Sequence, residues 1–135
     1  MKRRSFKLCA LIAISGACAS VDSHIIQPAA PVSSILIGPF EKRGFDYNPF
    51  VAKNLREALG FEFFRRGVEV RCPAEPSAAP DSASIESLCR SAGADLYLQG
   101  SCWEITTGEI MDQETVSSVT VLLFDKSGKK IGEAR

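Results

Sequence analysis

The sequence predicts an α/β (α+β) domain: a mixed sheet of about five strands with two helices on one face, in the order β-α-β-α-β-β-β. Three observations predict it. Apolar residues recur at helical spacing over 51–63 and again over 85–92, each stretch lying between short apolar runs. Residues 96–105 and 116–124 instead alternate, and Asp125-Lys126-Ser127-Gly128 then turns the chain into a last strand at KKIGEAR. Finally, 135 residues with 45% hydrophobic and 24% charged side chains have the size and composition of one globular domain. Early crossover helices followed by antiparallel strands produce a mixed sheet.

The elements follow in order. Ser34-Ile35-Leu36-Ile37 is a branched apolar strand that ends at Gly38-Pro39, and EKRGFDYN reads as a polar loop. Asn48 is suited to cap free N–H groups, and Pro49 fits a first helical position. Val51, Leu55, Leu59 and Phe63 then form one stripe, with Ala52 and Ala58 close by. Arg65 and Arg66 complement the helix dipole, and Gly67 ends the helix. Val68–Cys72 is a short strand, PAEPSAAPD a loop, and Asp81 or Ser82 a cap for the second helix. Ile85, Leu88, Cys89 and Ala92 give that helix one apolar face, and Gly93 stops it.

In the next strand Leu96, Leu98 and Cys102 share one face, while Tyr97, Gln99, Ser101 and Trp103 share the other. If Val119, Val121 and Leu123 face the helices, Leu122 and Phe124 join Tyr97 and Trp103 on the opposite side. That second face is either covered by the tether or a final helix, or is an assembly surface. Residues 61–64, FEFF, raise a similar question. Phe63 continues the buried stripe, whereas Phe61 and Phe64 point elsewhere, either under cover of the fold or as an exposed apolar patch.

The amino terminus has the three-part layout of a secretory signal peptide. MKRRSFK is basic, LCALIAISGA is apolar but too short to span a bilayer comfortably, and small residues follow. Two cleavages compete: before Ser20, at the Ala17-x-Ala19 site, or before Cys18. ISGAC resembles a bacterial lipobox, closest to the looser ones of spirochaete lipoproteins, which implies that Cys18 carries diacylglycerol. The expected organisation is therefore a signal peptide at 1–17, a lipidated tether at 18–33, and one α/β domain at 34–135. The tether is rich in Pro, Ala and Ser, with Ile25 and Ile26 able to dock locally. Ala19 stands where an acidic residue retains enterobacterial lipoproteins at the inner membrane. An outer-membrane lipoprotein whose domain faces the periplasm is expected.

Charge and chemistry narrow the function. Residues 1–17 hold four of the 16 basic residues and no acid, so the remainder has twelve basic against 16 acidic residues, a net −4. That balance is a poor fit to nucleic acid. The one histidine, His24, lies in the tether without companion ligands, so no metal or cofactor is expected. Glu104, Glu109, Asp112 and Glu114 sit in or beside a solvated turn, and no Gly-rich phosphate loop is present. Enzymatic activity is not expected. Cys72, Cys89 and Cys102 remain after processing, and both one disulfide with a leftover thiol and three reduced thiols fit their number.

Three stretches carry a resemblance. NPFVAKNLREALGFEFFRRGVEV is a helix ending in Arg-Arg-Gly before a strand. GADLYLQGSCWEI is a Gly-Ala-Asp strand with an internal Gly-Ser, and SVTVLLFDKSGKKIGEAR closes with strand, Asp-x-x-Gly and strand. Over residues 34–135 the chain resembles the small bacterial envelope lipoproteins of the CsgG-type, LpoB and TolB amino-terminal-domain group. The resemblance implies an anticodon-binding-like fold that works by contact with other envelope proteins. The membrane-inserting segments of a secretion channel have no clear counterpart. The expected role is a lipid-anchored, non-enzymatic interaction or assembly module, with self-association among its modes. The alternative is a periplasmic carrier of a small molecule or lipid, with a cleft beneath the Phe-rich helix end. Phe61, Phe64, Tyr97 and Trp103 are the candidate partner-binding residues.

Overall fold

The computed structural model describes residues 22–26, 31–44, 50–72, 80–108 and 114–135. In chain order the elements are β1 (Ser23–Ile25), β2 (Ser34–Gly44), α1 (Val51–Arg65), β3 (Glu69–Arg71), α2 (Ser82–Ala92), β4 (Leu96–Thr107), β5 (Glu114–Asp125) and β6 (Lys130–Ala134). They form one six-stranded sheet in the order β1-β6-β5-β4-β2-β3. β2 pairs in parallel with β3 and with β4, and the remaining pairings are antiparallel. The predicted class is correct: an α/β chain with a mixed sheet.

Two details differ. The helices lie on opposite faces rather than on one. Phe63 of α1 packs with Ile35, Ile37, Leu96, Leu98 and Leu123, whereas Ile85 and Cys89 of α2 pack with Leu36 and Tyr97. The topology requires this. The step from β2 to β3 runs one way along the sheet, and the step from β3 to β4 runs back across β2. Two right-handed crossovers in opposite directions place their helices on opposite sides. The sixth strand is the other difference. Ser23–Ile25, inside the segment read as a tether, pairs antiparallel with β6.

β2 is also longer than expected and absorbs Glu41–Gly44, which read as loop. Pro39 brings no N–H to a ladder, and the strand accommodates it in two ways. β3 pairs only with Ser34–Leu36, and the register against β4 shifts between Ile37 and Phe40. The Arg56 guanidinium on α1 donates to the Ile37 carbonyl beside this irregularity, at 2.8 and 3.2 Å. The shift returns Phe40 to the α1 face, where its ring fills the space over Gly100.

Both helices end in the same device. The N–H groups of Gly67 and Val68 bond to Phe64 and Phe63 carbonyls, and those of Gly93 and Ala94 bond to Arg90 and Cys89 carbonyls. Each glycine takes the left-handed conformation that this cap needs, with φ of 81° and 63°. Val68 and Ala94, next in each chain, are buried and lock the ends to the core. Asp81 caps α2 by accepting from the Ser84 N–H at 2.8 Å. Asn48 and Pro49 fall outside the described residues; α1 starts at Val51 after Phe50, without a side-chain cap. Each buried Ile, Leu or Phe in these two clusters contributes about 1.5–3 kcal/mol. Among the described residues no helix is long and apolar enough to cross a membrane.

Candidate interaction surface

The core stripe of α1 runs through Ala52, Leu55, Leu59 and Phe63. At about 100° per residue, Phe61 falls about 20° from Phe50 after three turns, and Phe64 lies one turn further. The three rings therefore share the side of the helix opposite the core. Their exposures, 61% for Phe50, 63% for Phe61 and 71% for Phe64, confirm it. On this side the Lys53–Glu57 pair stands between Phe50 and Phe61, and the Glu62–Arg65 pair flanks the Phe61–Phe64 end. The exposed alternative for FEFF is the one realised. Phe50 was not picked out from the sequence, although its eleven-residue spacing from Phe61, three helical turns, was available there.

Trp103, 41% exposed, lies elsewhere. Its strand, β4, carries Leu96 and Leu98 toward α1 and Tyr97 toward α2, so Trp103 shares the α2 face. Helix α2 covers only one end of that face. Beyond it the rows Gln99–Leu122–Glu133–His24 and Trp103–Ser118 are set by the strand registers, and between them Asp22 and Arg135 exchange two backbone hydrogen bonds of 2.9 and 2.8 Å. Arg43 stands beside Trp103 in the parallel register and pairs with Glu41 at 2.9 Å. Phe61 and Phe64 thus form one surface and Trp103 another.

Tyr97 belongs to neither. It is fully buried beneath α2, against Phe124, with ring centroids 6.2 Å apart. As a surface contact it is withdrawn: the second helix, on the face left open by the sequence reading, covers it. Burial also pushes the Tyr97 hydroxyl up to about 12. Cys18, the expected lipidation residue, lies outside the described residues.

The residue that sequence reasoning undervalued is Asp95. Its Oδ2 accepts from the N–H and hydroxyl of Ser33 (both 2.8 Å) and from the N–H and hydroxyl of Ser34 (3.1 and 3.3 Å). The Ser33 bonds, with help from Ser34, hold its carboxyl below the usual range. The Gly-Ala-Asp stretch is therefore mechanical: Gly93 caps α2, Ala94 plugs the core, and Asp95 clamps the start of β2 to the start of β4.

Cys72, Cys89 and Cys102 are not joined to one another by a disulfide. Cys89 is buried on the α2 face, and desolvation pushes its thiol up, away from the reactive thiolate. A shallow open depression of about 270 Å³ lies along β1 and β6, with Asp22, His24, Lys130, Glu133 and Arg135 at its rim. Ile26 and Ile131 also line it, and it lies at the opposite edge of the sheet from the Phe-rich end of α1, where a carrier cleft was expected.

No protein-family model matches the chain, and no curated protein matches it. Solved structures do. A dodecamer of a single-residue variant of PelC from Paraburkholderia phytofirmans aligns at 21% identity and TM-score 0.62, over 85% of this chain and 77% of that one. Lipoprotein GNA1162 from Neisseria meningitidis aligns at 18% and 0.56, over 76% and 80%. The LpoB C-terminal domain from Salmonella enterica aligns at 14% and 0.54, over 78% and 82%. The fold is shared with bacterial lipoproteins. At these identities the likeness concerns the fold alone.

Proposed function

We propose that this chain is a lipid-anchored bacterial cell-envelope protein, held through Cys18 at the outer membrane with its domain in the periplasm. It works there as a non-enzymatic module that binds other envelope proteins. The observation that carries the reading is the outward stripe of Phe50, Phe61 and Phe64. Phe61 and Phe64, exposed one helical turn apart, form the kind of apolar patch that marks a contact site, and Phe50 lies three turns away on the same side. The lipobox-like ISGAC segment and a fold shared with LpoB and GNA1162 support the setting. The PelC relative is a dodecamer, which supports self-association as one mode of contact here. The CsgG-type and TolB relationships belong to the same proposal.

Two measurements test it. Intact mass of the mature protein from bacterial membranes should show a chain that starts at Cys18 and bears acyl groups; a chain starting at Ser20 would remove the anchor. A photo-crosslinking residue at position 61 or 64 should then capture a discrete protein partner or a second copy. Capture no stronger than from an exposed site on α2 would remove the patch.

A further inference from the structure

β1 changes what a lipid on Cys18 does to the domain. Were residues 18–33 all tether, the domain would roam freely. Asp22, however, is already fixed to Arg135 by two backbone hydrogen bonds, and Ser23–Ile25 pair with β6. Three residues, Ala19, Ser20 and Val21, separate Cys18 from Asp22. Even fully extended, that segment spans about 14 Å. The bilayer surface therefore lies within about 14 Å of one corner of the sheet, which limits what can touch it.

The sheet itself supplies the ruler. β3 forms the far edge, five strand spacings from β1, which is about 24 Å. Helix α1 packs over β2 and β3, and its Phe61 and Phe64 lie toward the end away from Asp22, beyond the leash. Trp103 is three strand spacings across, about 14 Å, and points from the same face as Asp22 and Arg135. Apart from Leu122, the uncovered half of that face is polar, with Gln99, Ser101, Thr120, Glu133 and Arg135 across it and Trp103 and Arg43 at its border. That is a chemistry suited to headgroups rather than to hydrocarbon, and an indole with an apolar body and a polar N–H is at home in the headgroup layer.

We infer that the open half of the α2 face, bordered by Trp103, rests against the lipid headgroup layer, and that the Phe61–Phe64 end of α1 is thereby turned toward the periplasm. This rests on the Cys18 anchor proposed above. It assigns the two aromatic surfaces to two different ligands, a bilayer and a protein.

Trp103 is the one tryptophan of the chain and reports directly. The Cys72→Ser protein starting at Cys18 is coupled to a diacyl lipid at that thiol and mixed with phosphatidylcholine–phosphatidylglycerol vesicles containing shallow brominated lipid. Trp103 should lose most of its emission. A Trp103→Phe, Phe64→Trp variant should keep its emission, and a Gly/Ser insert of about 12 residues after Ser20 should restore that of Trp103. Vesicle-bound protein with unquenched Trp103 would overturn the inference while leaving the anchor intact. So would quenching that survives the insert, or a Trp103 blue shift driven by protein concentration without vesicles, which would give the face to a second copy. The native anchor is judged separately, by the intact mass of membrane-derived protein.

Discussion

Tyr97 lies across Gly38, and a β-carbon at position 38 would collide with its phenol ring. The two residues sit on the neighbouring parallel strands β2 and β4, where Leu36 is in register with Tyr97. Gly38→Ala must therefore push a fully buried ring against α2. We expect a loss of about 1–3 kcal/mol, the range for overpacking a core. It should appear as a lower urea midpoint with an unchanged slope. A Gly38→Ala protein as stable as its parent would show that the ring has room to move.

The same ring carries a hydroxyl that is buried without a hydrogen-bond partner among the described residues. Removing it offsets a desolvation cost, so Tyr97→Phe should match or exceed the parent by up to about 1 kcal/mol. It should also change the alkaline limit. The folded phenol holds its proton up to about 12, whereas an unfolded tyrosine releases it near 10. A raised folded value means that stability is full below pH 10 and falls as pH rises from 10 through 12. Urea midpoints at about pH 9 and about pH 11 should separate in the parent and converge in Tyr97→Phe, apart from losses shared by both.

Asp95 sets a limit on the acid side. Its carboxylate is favoured in the folded state by the Ser33 and Ser34 donors and therefore titrates lower there than when unfolded. A depressed value contributes stability that is present above the unfolded value, about 3.9, and is lost as pH falls through the folded one. Asp95→Asn should flatten that acid loss. Asp95→Ala should cost about 1 kcal/mol at neutral pH, because the partly buried Ser34 N–H loses its acceptor while the exposed Ser33 N–H returns to water. A midpoint against pH curve for Asp95→Asn that superimposes on the parent would remove the clamp.

Much of this was legible in the sequence, and the losses have physical causes. Periodicity located both helices, and the alternation in β4 correctly set Tyr97 apart from Leu96 and Leu98. Periodicity states which residues share a face but not what stands opposite them, so α2 over Tyr97 was missed and the ring was taken for a surface. Crossover handedness applied to a strand order could have found it, but strand order is not written in local pattern. Pro39 suggested the end of a strand, yet a register shift let β2 continue. The three residues of β1 are too few for any period to show; pairing with β6 creates that strand.

Phe61 and Phe64 should be silent in folding and loud in contact. With rings mostly exposed, Phe61→Ser with Phe64→Ser should alter stability by no more than about 0.5 kcal/mol for each site. Crosslinked capture or self-association through α1 should fall sharply in the same protein. A large drop in urea midpoint would mean that these rings are covered in the folded chain, and the patch would lose its meaning.

β1 is the part of the fold that a tether would not provide, and removing it tells the two apart. Asp22 and Arg135 exchange two hydrogen bonds, the Ile26 N–H donates to the Ile131 carbonyl at 2.6 Å, and Ile25 lies against Gly132. Ile131 belongs to the α1-face core, so β1 supports a strand whose inner side is buried. A chain starting at Val32 would leave β6 as the edge strand, with an open row of backbone N–H and C=O groups able to pair with another copy. We expect that truncated chain to unfold at lower urea than one starting at Asp22, and to sediment increasingly as larger species when concentrated. In the longer chain the Ile26 amide, bonded to the Ile131 carbonyl, should exchange more slowly with solvent than an amide in an unstructured tether. Equal midpoints, together with a fast-exchanging Ile26, would return residues 22–26 to the tether and lengthen the leash behind Cys18 beyond the reach that brings Trp103 to the bilayer.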